Sequence, residues 1–346
     1  MSVDVGEAAD GSGKPHTEFH AQRATSEIVP GFLRWRVANR VRKSSSVRPA
    51  DRLVMWVARG AWALLPVAVV ASVAVGLSDR SDAVALTVSI ALWGGWAVVL
   101  GAMFVPTAVT LTLVRVIAPV SIVAIVVLGP HAGFDVGDGI ALAATIVATV
   151  LCFLPAVGAV FLHGLAYGDE ERIALRAPGL LLLGPIELAW ALLVASGAVG
   201  PLLLAARQWV AGAILTAAGV VLIVALSRSL HGLARRWLVF VPAGVVVHDP
   251  IGLADPVLLT RTRVLSFGPA PAGSAATDLT VAAPGLAIEI ALTDKAEMVL
   301  RRGRSGAHPV VVTAVLVTPT RPGVAVTIAR ERRVGVGGAV RGDRSP

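Results

Sequence analysis

The sequence predicts an α-helical polytopic membrane domain of six transmembrane helices, followed by a small α+β domain of about seven short strands and a C-terminal helix. Three observations predict it. Between Ala61 and Leu226 lie apolar runs of about twenty residues, the length a hydrocarbon core of about 30 Å demands. After Trp237 the pattern changes to short alternating segments separated by Pro, Gly, Asp and Thr. Between the two stands Arg228–Asp249, where Arg228, Arg235 and Arg236 followed by Trp237 form a basic, aromatic collar of the kind that flanks membrane helices.

Composition supports the membrane assignment. The chain has 346 residues, of which 55% are hydrophobic, and a mean hydropathy of +0.78, too apolar for an ordinary soluble protein. The net charge of +8 does not indicate nucleic-acid binding, because the basic residues sit beside apolar runs as the cytoplasmic flanks of membrane helices do. Only Lys14, Lys43 and Lys295 are lysines, a bias that looks like coding preference. The single Cys152 lies inside an apolar run, which excludes an intramolecular disulfide and a Cys-based metal cluster and reads as a buried thiol. The first 30 residues are polar and the first long apolar run starts near Leu53, so no cleavable leader is expected.

In chain order, residues 1–30 read as a disordered tail, and its His16 and His20, though spaced like a helical metal pair, read as solvated. Residues 31–60 form a basic interfacial segment. Arg34 to Arg52 holds seven basic residues, among them Arg34, Arg36, Arg40, Arg42 and Lys43, against Asp51 alone, with Trp35 and other apolar residues interleaved. The expected partner is the anionic head groups of the cytoplasmic leaflet.

Residues 61–227 form the six-helix domain. The spans are expected at about Ala61–Leu77, with Leu53–Arg59 leading in, then Ala83–Val105, Ala108–Leu128, Ile140–His163, Gly179–Ala205 and Trp209–Leu226. A backbone in lipid must satisfy its own hydrogen bonds, so these are helices. Spans two and three are joined by a short uncharged turn near Pro106, which leaves a re-entrant pair as the alternative. The loops with Asp79 and Asp82, and with Asp135 and Asp138, are acidic. The N-terminal flank, the loop with Arg172 and Arg176, and the collar at 228–236 are basic. The positive-inside rule then places both termini in the cytoplasm of a plasma-membrane protein, with Arg207 the one dissenting charge. Pro66, Pro119, Pro155 and Pro185 are each expected to kink a helix. Ser72 and Gly76 provide a small-xxx-small spacing for close helix approach.

Two ionisable residues fall inside the expected hydrocarbon core: Arg115 in span three and Glu187 in span five. Counted from the cytoplasmic ends at 1.5 Å per residue, they lie roughly 9 Å and 12 Å deep. Charges at that depth usually face the bundle and pair, so an Arg115–Glu187 ion pair is expected. It would act as a packing lock or as a proton or solute site, the other arrangement being Arg115 reaching alone to the inner surface. A coupled transporter would show more polar groups and interrupted helices in matching positions. Asp169-Glu170-Glu171 has no second acidic or His motif at metal-ligand spacing, and His163 reads as interfacial. The chain has no phosphate-binding or dinucleotide Gly motif and no nucleophile elbow. No cofactor is expected.

Residues 237–333 read as the β-rich domain and 334–346 as a second disordered tail. Trp237–Val241 and Val245–His248 flank Pro242-Ala243-Gly244 as a hairpin, and further strands are expected at Val264–Phe267, Asp278–Ala282, Leu286–Leu292, Ala296–Arg301 and Pro309–Thr318. Thr320 is placed to cap a helix opening at Arg321-Pro322, with Val324, Ala325, Ile328 and Ala329 as its apolar stripe. His248-Asp249 at a strand end reads as a turn, and Arg301, Arg302 and Arg304 as a solvated turn or general lipid contact.

The opening RRWLVFVPAGVVVHDP, the Leu-rich Pro256–Thr260 and the closing TPTRPGVAVTIARERR together resemble the bacterial pleckstrin-homology-like fold over about Arg235–Arg333. The resemblance implies a bent sheet closed by a C-terminal helix. Lipid-binding relatives carry Lys and Arg on the first hairpin loop. That loop here is Pro242-Ala243-Gly244, so head-group recognition is not carried over. The whole chain also resembles uncharacterised multi-pass membrane proteins of high-GC actinobacteria, which implies an architecture and no activity. The expected function is an integral membrane scaffold or regulator whose cytoplasmic domain contacts a protein partner. The alternatives are a small-solute or proton-coupled transporter using Arg115 and Glu187, and an intramembrane enzyme. Oligomeric state is left open.

Overall fold

The computed structural model describes residues 47–129, 135–164, 166, 168–301 and 306–335. Among them, six helical segments are long and apolar enough to cross a membrane. The first, α1 (Pro49–Leu77), begins three turns before Ala61, so the lead-in is part of the helix. Its opening Pro49 sits where a missing N–H costs nothing. The second is α2 (Asp82–Phe104). Thr107 then caps α3 (Ala108–Ile117) by accepting from the Thr110 N–H while the Thr110 hydroxyl accepts from Thr107 N–H.

Proline divides the next two spans. Pro119 brings no N–H to the carbonyl of Arg115, and α4 (Val120–Leu128) starts anew beyond it. Carbonyls beside this break serve neighbours: the Trp190 indole donates to Val116 at 2.8 Å and the Thr149 hydroxyl to Ala118 at 3.2 Å. The expected Ile140–His163 helix is two helices, α5 (Val136–Phe153) and α6 (Pro155–His163). Leu154 is extended at φ −57°, ψ 138°, the region favoured before a proline, so Pro155 opens a new helix instead of kinking one.

Span five also starts later than expected. A 3-10 turn (Gly179–Leu182) precedes α7 (Pro185–Ala205). Gly184 turns the chain at φ +129°, a conformation open to glycine, and Pro185 is the first helical residue and kinks nothing. The last span, α8 (Trp209–Ala234), runs into the collar and ends shortly before Trp237.

Helix α1 is central. Met55, Ala58, Trp62 and Leu65 bury against α2, α3, α5 and α6. The Trp62 and Trp96 indoles each donate to the other's carbonyl, at 3.0 and 2.9 Å. Ser72 and Gly76 are buried, and a Cβ on Gly76 would overlap the Leu128 carbonyl. Helices α7 and α8 pack as a pair by the same device. Gly200 lies against Thr216, Gly212 against Leu204 and Gly219 against Ser196.

The β domain has two four-stranded sheets among the described residues. The first orders β1 (Glu171–Ala174), β2 (Trp237–Val241), β3 (Gly244–His248) and β4 (Val257–Thr260), all antiparallel. The second comprises β5 (Val264–Pro269), β6 (Thr277–Asp278), β7 (Ile288–Arg301) and β8 (Ala307–Val317), in the order β5-β7-β8-β6. The expected 286–292 and 296–301 strands are one strand, β7, with a register irregularity between Ala291 and Ala296. The expected 278–282 strand shrinks to β6, because Val281 and Ala282 turn into positive φ, at 54° and 55°. Helix α9 (Pro322–Glu331) closes the core, with Ala325, Ile328 and Ala329 buried in the same cluster as Phe240, Val247 and Ile290. Thr320 does not cap it, since its hydroxyl donates to Ala174 instead, at 3.1 Å.

Strand β1 was not foreseen. It comes from the loop between spans four and five, so the sheet domain is not contiguous in sequence.

Candidate functional site

Three sets of contacts hold the β domain against the end of the bundle where α1 and α7 begin and α8 ends. Strand β1 pairs with β2 from Glu171↔Phe240 to Ala174↔Trp237. Beyond it, Leu175 N–H donates to Arg236 and Arg176 N–H to Thr318, at 2.9 and 2.8 Å, while Thr320 N–H donates back to Ala174 at 2.8 Å. This short segment therefore stitches the edge of one sheet to the end of the other. Two ion pairs add to it. Asp51 of α1, its side chain 5% exposed, meets Arg321 at 2.7 Å, and Glu171 meets Arg332 at 3.3 Å.

The collar splits by role. Arg228 and Arg235 are exposed, but Arg236 is 2% exposed and is no interfacial residue. Its guanidinium grips Asp249 through two bonds of 2.8 and 2.7 Å and donates to the carbonyls of Arg176 and Leu279. Asp249 also accepts from Ile251 N–H at 3.1 Å. A buried pair survives only when its remaining donors and acceptors are met, and here they are. The pair was missed although a signal for it exists. The hairpin register Trp237↔His248 puts position 236 opposite 249.

Trp237 is half-buried in β2, stacked on His248 at 5.1 Å between ring centroids with the Arg172 guanidinium 5.9 Å from its ring. Burial, helped by the Arg235 charge, pushes His248 below the ordinary histidine range, and its Nε2 is buried without a hydrogen-bond partner. Asp249 is committed to Arg236 and forms no pair with it. Arg34, Trp35, Arg36, Arg40, Arg42 and Lys43 lie outside the described residues, as do Arg302, Arg304, the N-terminal tail and residues 336–346. The expected C-terminal tail starts too early, since Val334 is buried in the β-domain core and its N–H donates to Ala329 at 2.8 Å.

Under the β domain, at its junction with the helices, is a cavity of about 530 Å³. Six arginines and three carboxylates reach its wall, an excess of positive charge, and much of the rest of the wall is apolar, including Leu111, Val116, Leu162, Ile186 and Trp190. Thr112 and His231, 3.2 Å apart, tie α3 to α8 beside it, and His163 Nδ1 donates to the Ala159 carbonyl at 2.8 Å.

Arg115 and Glu187 both line this cavity but form no ion pair, which corrects the expectation. The reason is local. With α7 starting at Pro185 instead of Gly179, Glu187 sits in the first turn, exposed, and its carboxylate accepts from Gly184 N–H at 3.1 Å, closing the helix start. Arg115 is then left without a carboxylate among the described residues, and its Nε is buried with no hydrogen-bond partner. The Phe153 ring lies 5.8 Å from the guanidinium. One terminal nitrogen lies over Gly158, where an added Cβ would come within 3.1 Å. This arrangement can hold an oxyanion.

Among the described residues no group of three His, Cys, Asp or Glu side chains converges as metal ligands. Cys152 is free and buried. No protein-family model, curated protein or solved structure matches the chain.

Proposed function

We propose that the protein is a plasma-membrane scaffold or regulator, with both termini cytoplasmic, whose β domain is a pleckstrin-homology-like module that engages a protein partner. The observation that carries this reading is the strand β1 donated by the loop between spans four and five, with the Asp51–Arg321 pair beside it. A module hung on a flexible linker needs neither. A module that must present its surface at a set height and angle above the membrane needs both. Two four-stranded sheets closed by a C-terminal helix support the pleckstrin-homology-like assignment.

Charge supports the orientation. Arg48, Arg52, Arg59, Arg172, Arg176, Arg228 and Arg235 lie toward the end that carries the β domain, whereas Asp79, Asp82, Asp135 and Asp138 lie at the other. The basic end then faces the anionic leaflet. Arg59 also grips the end of α2, donating to the Met103 carbonyl at 2.6 and 3.2 Å.

Leu258 on β4 and Val311 on β8 are exposed, at 45% and 60%, and give the domain apolar contact points. A photo-crosslinking residue placed at each in the full-length chain, irradiated in native membranes, should give a discrete protein adduct at one or both positions. Lipid adducts alone at both would contradict the partner reading.

A further inference from the structure

Burying an arginine in a membrane bundle costs several kcal/mol unless the charge is met by a partner or by water. Arg115 has no such partner among the described residues. The nearest foreseen acid, Glu187, is occupied by Gly184 N–H. The Arg115 Nε is sealed from solvent without a hydrogen-bond partner, and the absence of a side chain at Gly158 lets a terminal nitrogen lie close over the helix there. A guanidinium offers five donors in a planar fork suited to carboxylate and phosphate oxygens. Here the fork borders a cavity of about 530 Å³ with a largely apolar wall, and Arg48, Arg172 and Arg176 are among its other lining residues.

We propose that this cavity binds an amphiphile, an oxyanionic head group held by Arg115 with its acyl chain laid along Leu111, Leu162 and Trp190. A free inorganic anion would leave the apolar wall wet, and a neutral lipid would leave the guanidinium unmet. The head group can be the phosphate of an acidic lipid, not balanced by an ammonium of its own, or a fatty-acid carboxylate, which share this chemistry. The proposal rests on the cavity alone and stands or falls independently of the protein partner.

Trp190 lines the cavity and serves as the reporter, its signal being the difference between the full-length chain and its Trp190→Phe variant. The chain in phosphatidylcholine nanodiscs is titrated with brominated phosphatidylglycerol, brominated stearic acid or brominated phosphatidylcholine. Saturable Trp190 quenching by one or both acidic probes is expected, and which of them quenches identifies the source. Arg115→Gln should weaken it about tenfold or more, the scale of one lost charge-assisted contact, with Arg115→Lys intermediate. Should Arg115→Gln fail to fold, Gly158→Val keeps the charge but displaces the terminal nitrogen that lies over Gly158, and the same loss is expected. Equal quenching by phosphatidylcholine, or quenching unchanged in folded Arg115→Gln or Gly158→Val, would overturn the proposal by showing lipid at the surface only. Full reversal by inorganic phosphate would overturn the role of the acyl chain.

Discussion

Arg236 and Asp249 bury a full charge each, at 1% and 0% side-chain exposure, and exchange two hydrogen bonds. Removing one member strands the other, so Arg236→Met should cost the β domain about 3–5 kcal/mol. Asp249→Leu added to it should recover much of that loss, because an apolar pair leaves no buried charge. Hydrogen exchange of β2 and β3 in the full-length chain reads both. His248 makes a pH prediction. Burial, then Arg235, depress its folded pKa, so below the unfolded value of about 6.5 the unfolded chain binds the extra proton. Stability is therefore full above that pH and falls as pH drops from it toward the folded value. His248→Gln should flatten this slope. An unchanged slope would assign the acid sensitivity to other groups.

At the scale of elements, Gly76 and Gly94 give a contrast. A Cβ on Gly76 would strike the Leu128 backbone, whereas one on Gly94 meets nothing within 4 Å. Gly76→Ala should cost about 1–3 kcal/mol through the α1–α4 contact, and Gly94→Ala should be neutral or slightly stabilising as a helix former. Thermal unfolding in detergent separates them. The Ser72/Gly76 contact was legible because its spacing is local. Proline was less so. Leu65-Pro66 and Leu154-Pro155 are the same dipeptide, yet Pro66 stays within α1 and Pro155 starts α6. Packing around each residue decides between kink and break, and packing is not written in the dipeptide. Glu187 was misplaced for a similar reason. The expected span starts at Gly179, but Gly184-Pro185 resets the helix start and brings the carboxylate to the first turn. Arg115 itself was legible as the exceptional charge of its span; the cavity beside it, assembled from many separate stretches of the chain, was not.

At the scale of the whole molecule, the β domain is built partly from the membrane domain's own loop. Four residues are too few to show a strand period, and β1 pairs with a strand more than sixty positions away, so periodicity could not reveal it. It joins the β domain to the helices by a strand ladder in place of a linker, so a change at the cavity among α3, α7 and α8 is expected to reach β2 through β1. Arg172 and Val239 face each other on β1 and β2. Because Leu175 N–H donates to Arg236 in the same ladder, they form a non-hydrogen-bonded pair, with Cα atoms about 4.5 Å apart, close enough for a disulfide. In a full-length Arg172→Cys/Val239→Cys chain with Cys152 replaced by Ser, mild oxidation should join the two cysteines nearly completely, read as a linked peptide by mass spectrometry. Free thiols at both positions in a chain whose Val239→Cys/Val246→Cys control does crosslink across the β2–β3 hairpin would contradict the integral strand, and with it the fixed coupling of the β domain to the membrane helices.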